Sequence, residues 1–273
     1  MKSANRRIEV KTILENFYIN NLKQLPNRTK LQQMYFQVCL DLEVITPVER
    51  IIPDNFDLSD IPNLLVVANH IQTPYLVALE NQELITRLDL TANDYPSQGL
   101  LPISFRHYPI TNTLVNYGFK TRFITGKRPA KLAQITQAWG SIQIPGEGSN
   151  RTQTLIDIIG ETLKDKQAIA IFPEGKDSFG YLHEYRYFLS PFKRGFAAIA
   201  QTLQLPILPI SLAFSIEDFQ YHIKVHPIIS LSKINSFSIE KLVKYTQDIV
   251  SNGITECIPH IEVNWAEDEQ ILI

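Results

Sequence analysis

Asn69-His70 stands directly behind a short apolar run, Leu64-Leu65-Val66-Val67, and ahead of Thr73-Pro74 and a stretch with helical pattern. An imidazole titrates close to neutral pH, so a histidine at the exit of a buried strand can take a proton from a reacting hydroxyl. A second junction reads AIAIFPEGKDSFG, an apolar run over 168 to 172 followed by the sharp turn Pro173-Glu174-Gly175. If both runs are parallel strands, one sheet edge carries His70 and Glu174, and that carboxyl-terminal edge is where open parallel sheets bind ligands. A third element opens with Lys193-Arg194-Gly195. Two cations in a first helical turn oppose the helix dipole, a conflict that a bound anion would relieve; the alternative is a pair of solvated basic side chains.

The elements that would position these groups alternate between strand-length apolar runs and longer helical patterns, the signature of parallel strands joined by crossover helices. Strands are expected at 64–68, 85–91, 121–124, 141–144, 168–172, 207–212, 220–225 and 261–264, with helices at 75–84, 130–139, 152–164, 193–203 and 238–250. Thr73 and Pro74 suit a helix cap and first turn, which puts His70 in a strand-to-helix loop. Residues 8 to 43 read as helical with a break at Pro26-Asn27, capped by Asn27 or Thr29. The expected architecture is therefore α/β, a mostly parallel central sheet flanked by helices, with a helical amino-terminal segment over 1–50 and the α/β domain over 51–273. Pro206 and Pro209 restrict their strand to an edge or a bulge.

Taken in order, four blocks resemble the glycerol-phosphate and lysophospholipid acyltransferase superfamily. They are Asn69-His70, Gly140-Ser141-Ile142-Gln143-Ile144, Phe172-Pro173-Glu174-Gly175-Lys176-Asp177-Ser178 and Leu205-Pro206-Ile207-Leu208-Pro209-Ile210. The resemblance spans roughly residues 60 to 230 and implies transfer of a fatty acyl group from a thioester of coenzyme A or acyl carrier protein, used as co-substrate with no further cofactor. The implied acceptor is a lipid or glycerol-phosphate-type hydroxyl, with His70 as general base. It further implies that Glu174 and Gly175 seat the acceptor, that Asn69 steadies the loop, and that an acyl channel is floored by Pro206 to Ile210.

The chain departs from the family pattern at three points. The acid expected five residues after the histidine is Tyr75, whose phenol has a reference pKa of about 10 and carries no charge at neutral pH. Either Tyr75 orients the imidazole without charge, or another acid such as Asp177 or Asp94 reaches it, or the site is inert and the chain binds acyl donors or lipids without turnover. The second block ends in Pro145-Gly146-Glu147-Gly148 where an arginine is usual, and the third has Lys176-Asp177 where Thr-Arg is usual. Lys176, Arg151, Lys193 and Arg194 remain as a cationic set for an acceptor anion or for donor phosphates, a lysine giving a point charge where arginine gives a fork. A thioester hydrolase is the remaining alternative.

Composition narrows the rest. With 273 residues and 44% apolar content the chain can bury a sizeable core, and a net charge of -2 without long basic blocks excludes a bulk nucleic-acid binder. Cys39 and Cys257 form no C-x-x-C pair and suit a reducing compartment. No signal-peptide core or apolar run of spanning length is present, so the expectation is a cytoplasmic protein, with peripheral contact on the inner face of a membrane left open. His222 and His226 lack a third ligand of metal type, and no metal is expected. Neither a G-x-x-x-x-G-K-[ST] loop nor a G-x-S-x-G elbow occurs. The aromatic segment 179–192 reads as a lid or as cleft filling, and 106–119 carries no assigned role.

Overall fold

A computed structural model describes residues 2–23, 26–71, 103–126, 133, 135–137, 140–145, 150–174, 182–183 and 186–265. The chain opens with α1 (Lys2–Lys23) and α2 (Arg28–Ile45), broken at Pro26-Asn27, where the Asn27 side chain accepts from the Lys30 amide at 2.9 Å and so caps α2. Next come β1 (Val48–Ile51), β2 (Asn63–Ala68), α3 (Ile103–Val115), β3 (Lys120–Thr125), β4 (Ile142–Gln143), α4 (Arg151–Thr162) and β5 (Gln167–Ile171). The remainder is β6 (Leu182–His183), β7 (Arg186–Leu189), α5 (Gly195–Leu203), β8 (Ile207–Ser215), β9 (Gln220–Val225), α6 (Leu231–Ser236), α7 (Ile239–Cys257) and β10 (Glu262–Trp265).

Seven strands form one sheet in the order β1-β9-β8-β2-β5-β3-β4. From β8 to β4 the neighbours run parallel, whereas β9 is antiparallel to β8 and β1 follows β9. Side-chain alternation divides the two faces. Leu64, Val66 and Phe123 share one core with Leu14, Leu31, Leu42 and Tyr108 from α1, α2 and α3. Leu65, Val67 and Ile169 share the other with Leu155, Phe196, Ile199 and Val250 from α4, α5 and α7. The expected α/β architecture with a mostly parallel sheet is borne out, and α1 and α2 pack into the same core as the sheet.

The placement of the proline-rich strand has to be corrected. β8 lies between β9 and β2, in the interior of the sheet. Its Pro209 is accommodated because β9 ends at Val225, opposite Ile210, and only the His226 amide reaches the Pro209 carbonyl, at 3.1 Å. The missing proline donor therefore faces a position that β9 no longer occupies. The expected strand 85–91 and helix 75–84 lie outside the described residues, and of 130–139 only 133 and 135–137 are described, as helix.

At the amino edge of the sheet Lys166, at φ 55°, donates its ammonium to the carbonyls of Leu58, Ser59 and Ile61 at 3.1, 2.6 and 3.0 Å. That end is closed by structure. At the carboxyl edge a second sheet, β10-β7-β6, is built from the aromatic segment and the carboxyl-terminal strand, with β10 parallel to β7.

Candidate active site

Asn69 follows β2 directly and is fully buried. Its amide nitrogen donates to the Leu212 carbonyl at 2.9 Å, and its side-chain oxygen accepts from the Leu212 amide at 2.7 Å. The carboxamide thus acts as one extra peptide unit, extending the β2–β8 ladder at the point where the chain must turn away to present His70. From the other neighbouring strand, Glu174 reaches across: its Oε1 accepts the backbone N–H of His70 and its Oε2 that of Ser190 at 3.2 Å. The His70 loop is therefore pinned from both sides, by Glu174, 104 residues from His70, and by Leu212, 143 residues from Asn69.

Glu174 is 1% exposed. Burial disfavours its charged form and pushes its pKa up to about 8, against the opposing pull of the two backbone N–H donors. At neutral pH the carboxyl is mostly protonated, and both its oxygens are engaged by backbone.

The ring of His70 meets Phe172 edge-on, with centroids 5.3 Å apart. Phe172 in turn lies nearly parallel to His107 and Phe123, at 6.0 and 6.2 Å, and His107 stacks flat on Phe123 at 3.6 Å. These four rings come from the loop after β2, the end of β5, the middle of β3 and α3. They form a continuous aromatic shelf on the α3 side of the carboxyl edge.

The cations stand elsewhere. Arg151 opens α4 and is exposed, Lys193 is exposed, and Arg194 precedes α5 with its guanidinium 3.4 Å from the Glu240 carboxylate and its side chain 75% exposed. The Lys193 amide donates to the Pro173 carbonyl at 2.9 Å, which ties the start of α5 to the glutamate turn. Both helices cover the sheet face opposite α3, so these three side chains flank the edge from that face. Tyr75, Gly175 and Lys176, with Asp94 and Asp177, lie outside the described residues.

Ser190, Leu212, His107 and Phe123 were not among the sequence candidates. Their contacts are long-range, and only the aromatic character of 106–119 signalled any of them. His222 Nδ1 is 3.1 Å from Glu49. His226, 6% exposed and lowered by burial to a pKa of about 4, bonds Ser211 Oγ at 2.8 Å. Cys39 and Cys257 are free, buried thiols. Among the described residues no three His, Cys, Asp or Glu side chains group as metal ligands, and no helix is long and apolar enough to cross a membrane.

Residues 104–213 match a family model described as Acyltransferase. The matched stretch holds Arg151, Glu174, Lys193 and Arg194 and begins after Asn69-His70. No curated protein matches the chain. Among solved structures the chain is similar to the 1-acyl-sn-glycerophosphate (LPA) acyltransferase PlsC from Thermotoga maritima, with a TM-score of 0.50 and 14% identity over 93% of this chain and 97% of that one. At that identity the likeness shows a shared fold. The family match bears out the resemblance to an acyltransferase over 104–213, and the structural likeness bears out the fold.

Proposed function

We propose that this chain, with its acyltransferase-family segment at 104–213, transfers a fatty acyl group from a thioester donor to a hydroxyl of a glycerolipid-type acceptor, using His70 as general base. The observation that carries the reading is the double tether of the His70 loop, by Asn69 to β8 and by Glu174 to β5. Such a tether holds the His70 backbone in place beside the aromatic shelf, and a general base needs a fixed position to meet a hydroxyl at hydrogen-bond range.

In the reaction His70 removes the acceptor O–H proton as the oxygen attacks the thioester carbonyl. The tetrahedral intermediate collapses with cleavage of the C–S bond, and the imidazolium returns the proton to the leaving thiolate. Glu174 acts here as a positioning residue whose carboxyl holds the loop backbone, and together with Gly175, next to it in sequence, it is assigned to seating the acceptor. Arg151, Lys193 and Arg194, with Lys176, are assigned to the phosphates of the donor, coenzyme A or a carrier protein. A lipid acceptor has to be met at a bilayer surface, and exposed Ile8, Phe36, Leu40 and Val44 on the α1–α2 hairpin support peripheral contact there.

The test is acceptor-dependent release of free thiol from palmitoyl-coenzyme A. Wild type should turn over and His70→Ala should not; equal rates would remove the catalytic assignment. Tyr75, standing where the family has an acid, favours a second reading, a lipid-binding homologue without turnover. Tyr75→Asp separates the two, because a site lacking only its orienting charge gains activity and a binding shell does not.

A further inference from the structure

The small second sheet bears on the base more directly than its place at the margin of the fold suggests. β7 has no position in the seven-stranded sheet; it pairs with β6 over two residues and with β10 over four, from Glu262–Arg186 to Trp265–Leu189. That ladder stops at Leu189. The next residue is Ser190, whose amide donates to Glu174 Oε2 while Oε1 accepts the His70 amide. An unbroken line of strand pairing and hydrogen bonds therefore runs from β10 through Ser190 and Glu174 to the loop that carries the imidazole. Val263 anchors β10 on its apolar side, packing with buried Leu189 into the core that also receives Phe172. Trp265, two residues on, lies on the same face of the strand and forms the last pair of the ladder.

Of the elements in that line, β10 is the easiest to lift. It is four residues long and stands at the edge of its sheet, with Glu262 and Trp265 exposed, whereas β2 and β5 lie inside the large sheet with a neighbour on each side. Local opening costs least where buried apolar contact and pairing are least, so a strand of this kind can come away while the body stays folded. Without β10, β7 keeps only its two residue pairs with β6, and an isolated two-stranded ribbon is marginal in water. The Ser190 amide is then no longer held against Glu174, and the His70 loop loses part of its tether. Resting on the acyl-transfer reading, we propose that β10 is a strap that completes the active site, with Val263 and Trp265 as positioning residues that act on His70 through Ser190 and Glu174.

The experiment reads backbone amide hydrogen exchange, and acyl transfer from palmitoyl-coenzyme A to 1-oleoyl-lysophosphatidic acid, in the full-length chain and its variants Val263→Asp, Trp265→Ala and Trp265→Phe. Val263→Asp sets a charge against the core and should raise exchange at Ser190 and His70 about tenfold, the effect of one lost hydrogen bond, with Val66 and Ala170 in the sheet interior unchanged. Its kcat should fall about tenfold while acceptor KM holds. Trp265→Ala should move both readings the same way, and Trp265→Phe should restore them. Added to Glu174→Gln, Val263→Asp should cost little further kcat, because both act through one carboxyl, whereas unrelated structural damage multiplies. His70 exchange that stays low while the β10 amides exchange freely, or multiplied losses in the double variant, would overturn the strap. Should Val263→Asp also loosen Val66 and Ala170, Trp265→Ala decides, since its side chain is 39% exposed and its removal spares the body. If the wild type forms no ester, the exchange pattern still sustains or overturns the coupling of β10 to the His70 loop, and the transfer reading alone fails.

Discussion

Replacing Glu174 with glutamine should remove a definite part of the pH dependence of folding. In the native state the buried carboxyl titrates at about 8, against 4.5 in an unperturbed chain. Between those values the folded protein binds a proton that the unfolded chain has released, so stability falls as pH rises and the loss is complete above 8. At about 1.4 kcal/mol per pH unit, the interval from pH 6.5 to 8.5 contributes a loss on the order of 2 kcal/mol. His226 acts in the opposite sense: its native pKa of about 4 lies below the ordinary histidine value of 6.5, so its contribution to stability is present above 6.5 and is lost as pH falls toward 4. The window above 6.5 therefore isolates Glu174, and every other group cancels when variant is subtracted from wild type. Glu174→Gln keeps one accepting oxygen for His70 or Ser190 and sets an amide against the other N–H, so it starts roughly 1–3 kcal/mol less stable. Urea unfolding at constant ionic strength should show wild type losing stability from pH 6.5 to 8.5 and the variant holding level, the gap between them closing. Parallel slopes for the two proteins would refute the argument that a protonated, buried carboxyl clamps the His70 loop.

Other substitutions probe neighbouring parts of the account. Asn69→Ala strips both hydrogen bonds from the Leu212 backbone and should cost roughly 2–4 kcal/mol in urea unfolding, with activity lost at least as far as in Glu174→Gln. Gly253→Ala would drive a methyl group into Ser211 Oγ and the His226 ring, at the crossing of α7 over β8, and should lower stability by about 1–3 kcal/mol while leaving acceptor KM in place. Exchanging Ile8 and Val44, 62% and 82% exposed, for glutamate should abolish co-flotation with anionic phospholipid vesicles without changing thermal stability. Unchanged flotation would move membrane contact away from the hairpin.

Much of this architecture can be read along the chain, and the parts that cannot share a physical cause. The runs at 64–68, 168–172 and 207–212 announce buried parallel strands because both faces of each are apolar, and Asn27 announces the start of α2 because few residue types cap a helix well. Pro209 misled because a proline is disfavoured in an interior strand only where a neighbour needs its amide, and β9 stops one residue short of asking for it. α3 was hidden by Pro109 within it and by an aromatic content that also suits strands. β1, β6 and β7 are short; β1 and β7 pair with β9 and β10, far away in sequence, and β6 pairs with β7 over only two residues.

The site shows the same division. His70 and Glu174 were legible as a pair because each ends an apolar run, yet the glutamate's engagement with the backbone of His70 and Ser190 belongs to tertiary structure alone. Arg151, Lys193 and Arg194, grouped by charge in the sequence, are brought to one side of the edge by two helix starts, and Arg194 already has a carboxylate partner in Glu240.

The most direct measurement of the central claim is the mass of the product formed from isotope-labelled palmitoyl-coenzyme A with and without a monoacyl glycerolipid. The account predicts a labelled diacyl ester that requires the acceptor, forms with wild type and is lost in His70→Ala. Labelled free fatty acid released at the same rate whether or not acceptor is present, or ester formed equally well without the imidazole, would contradict it.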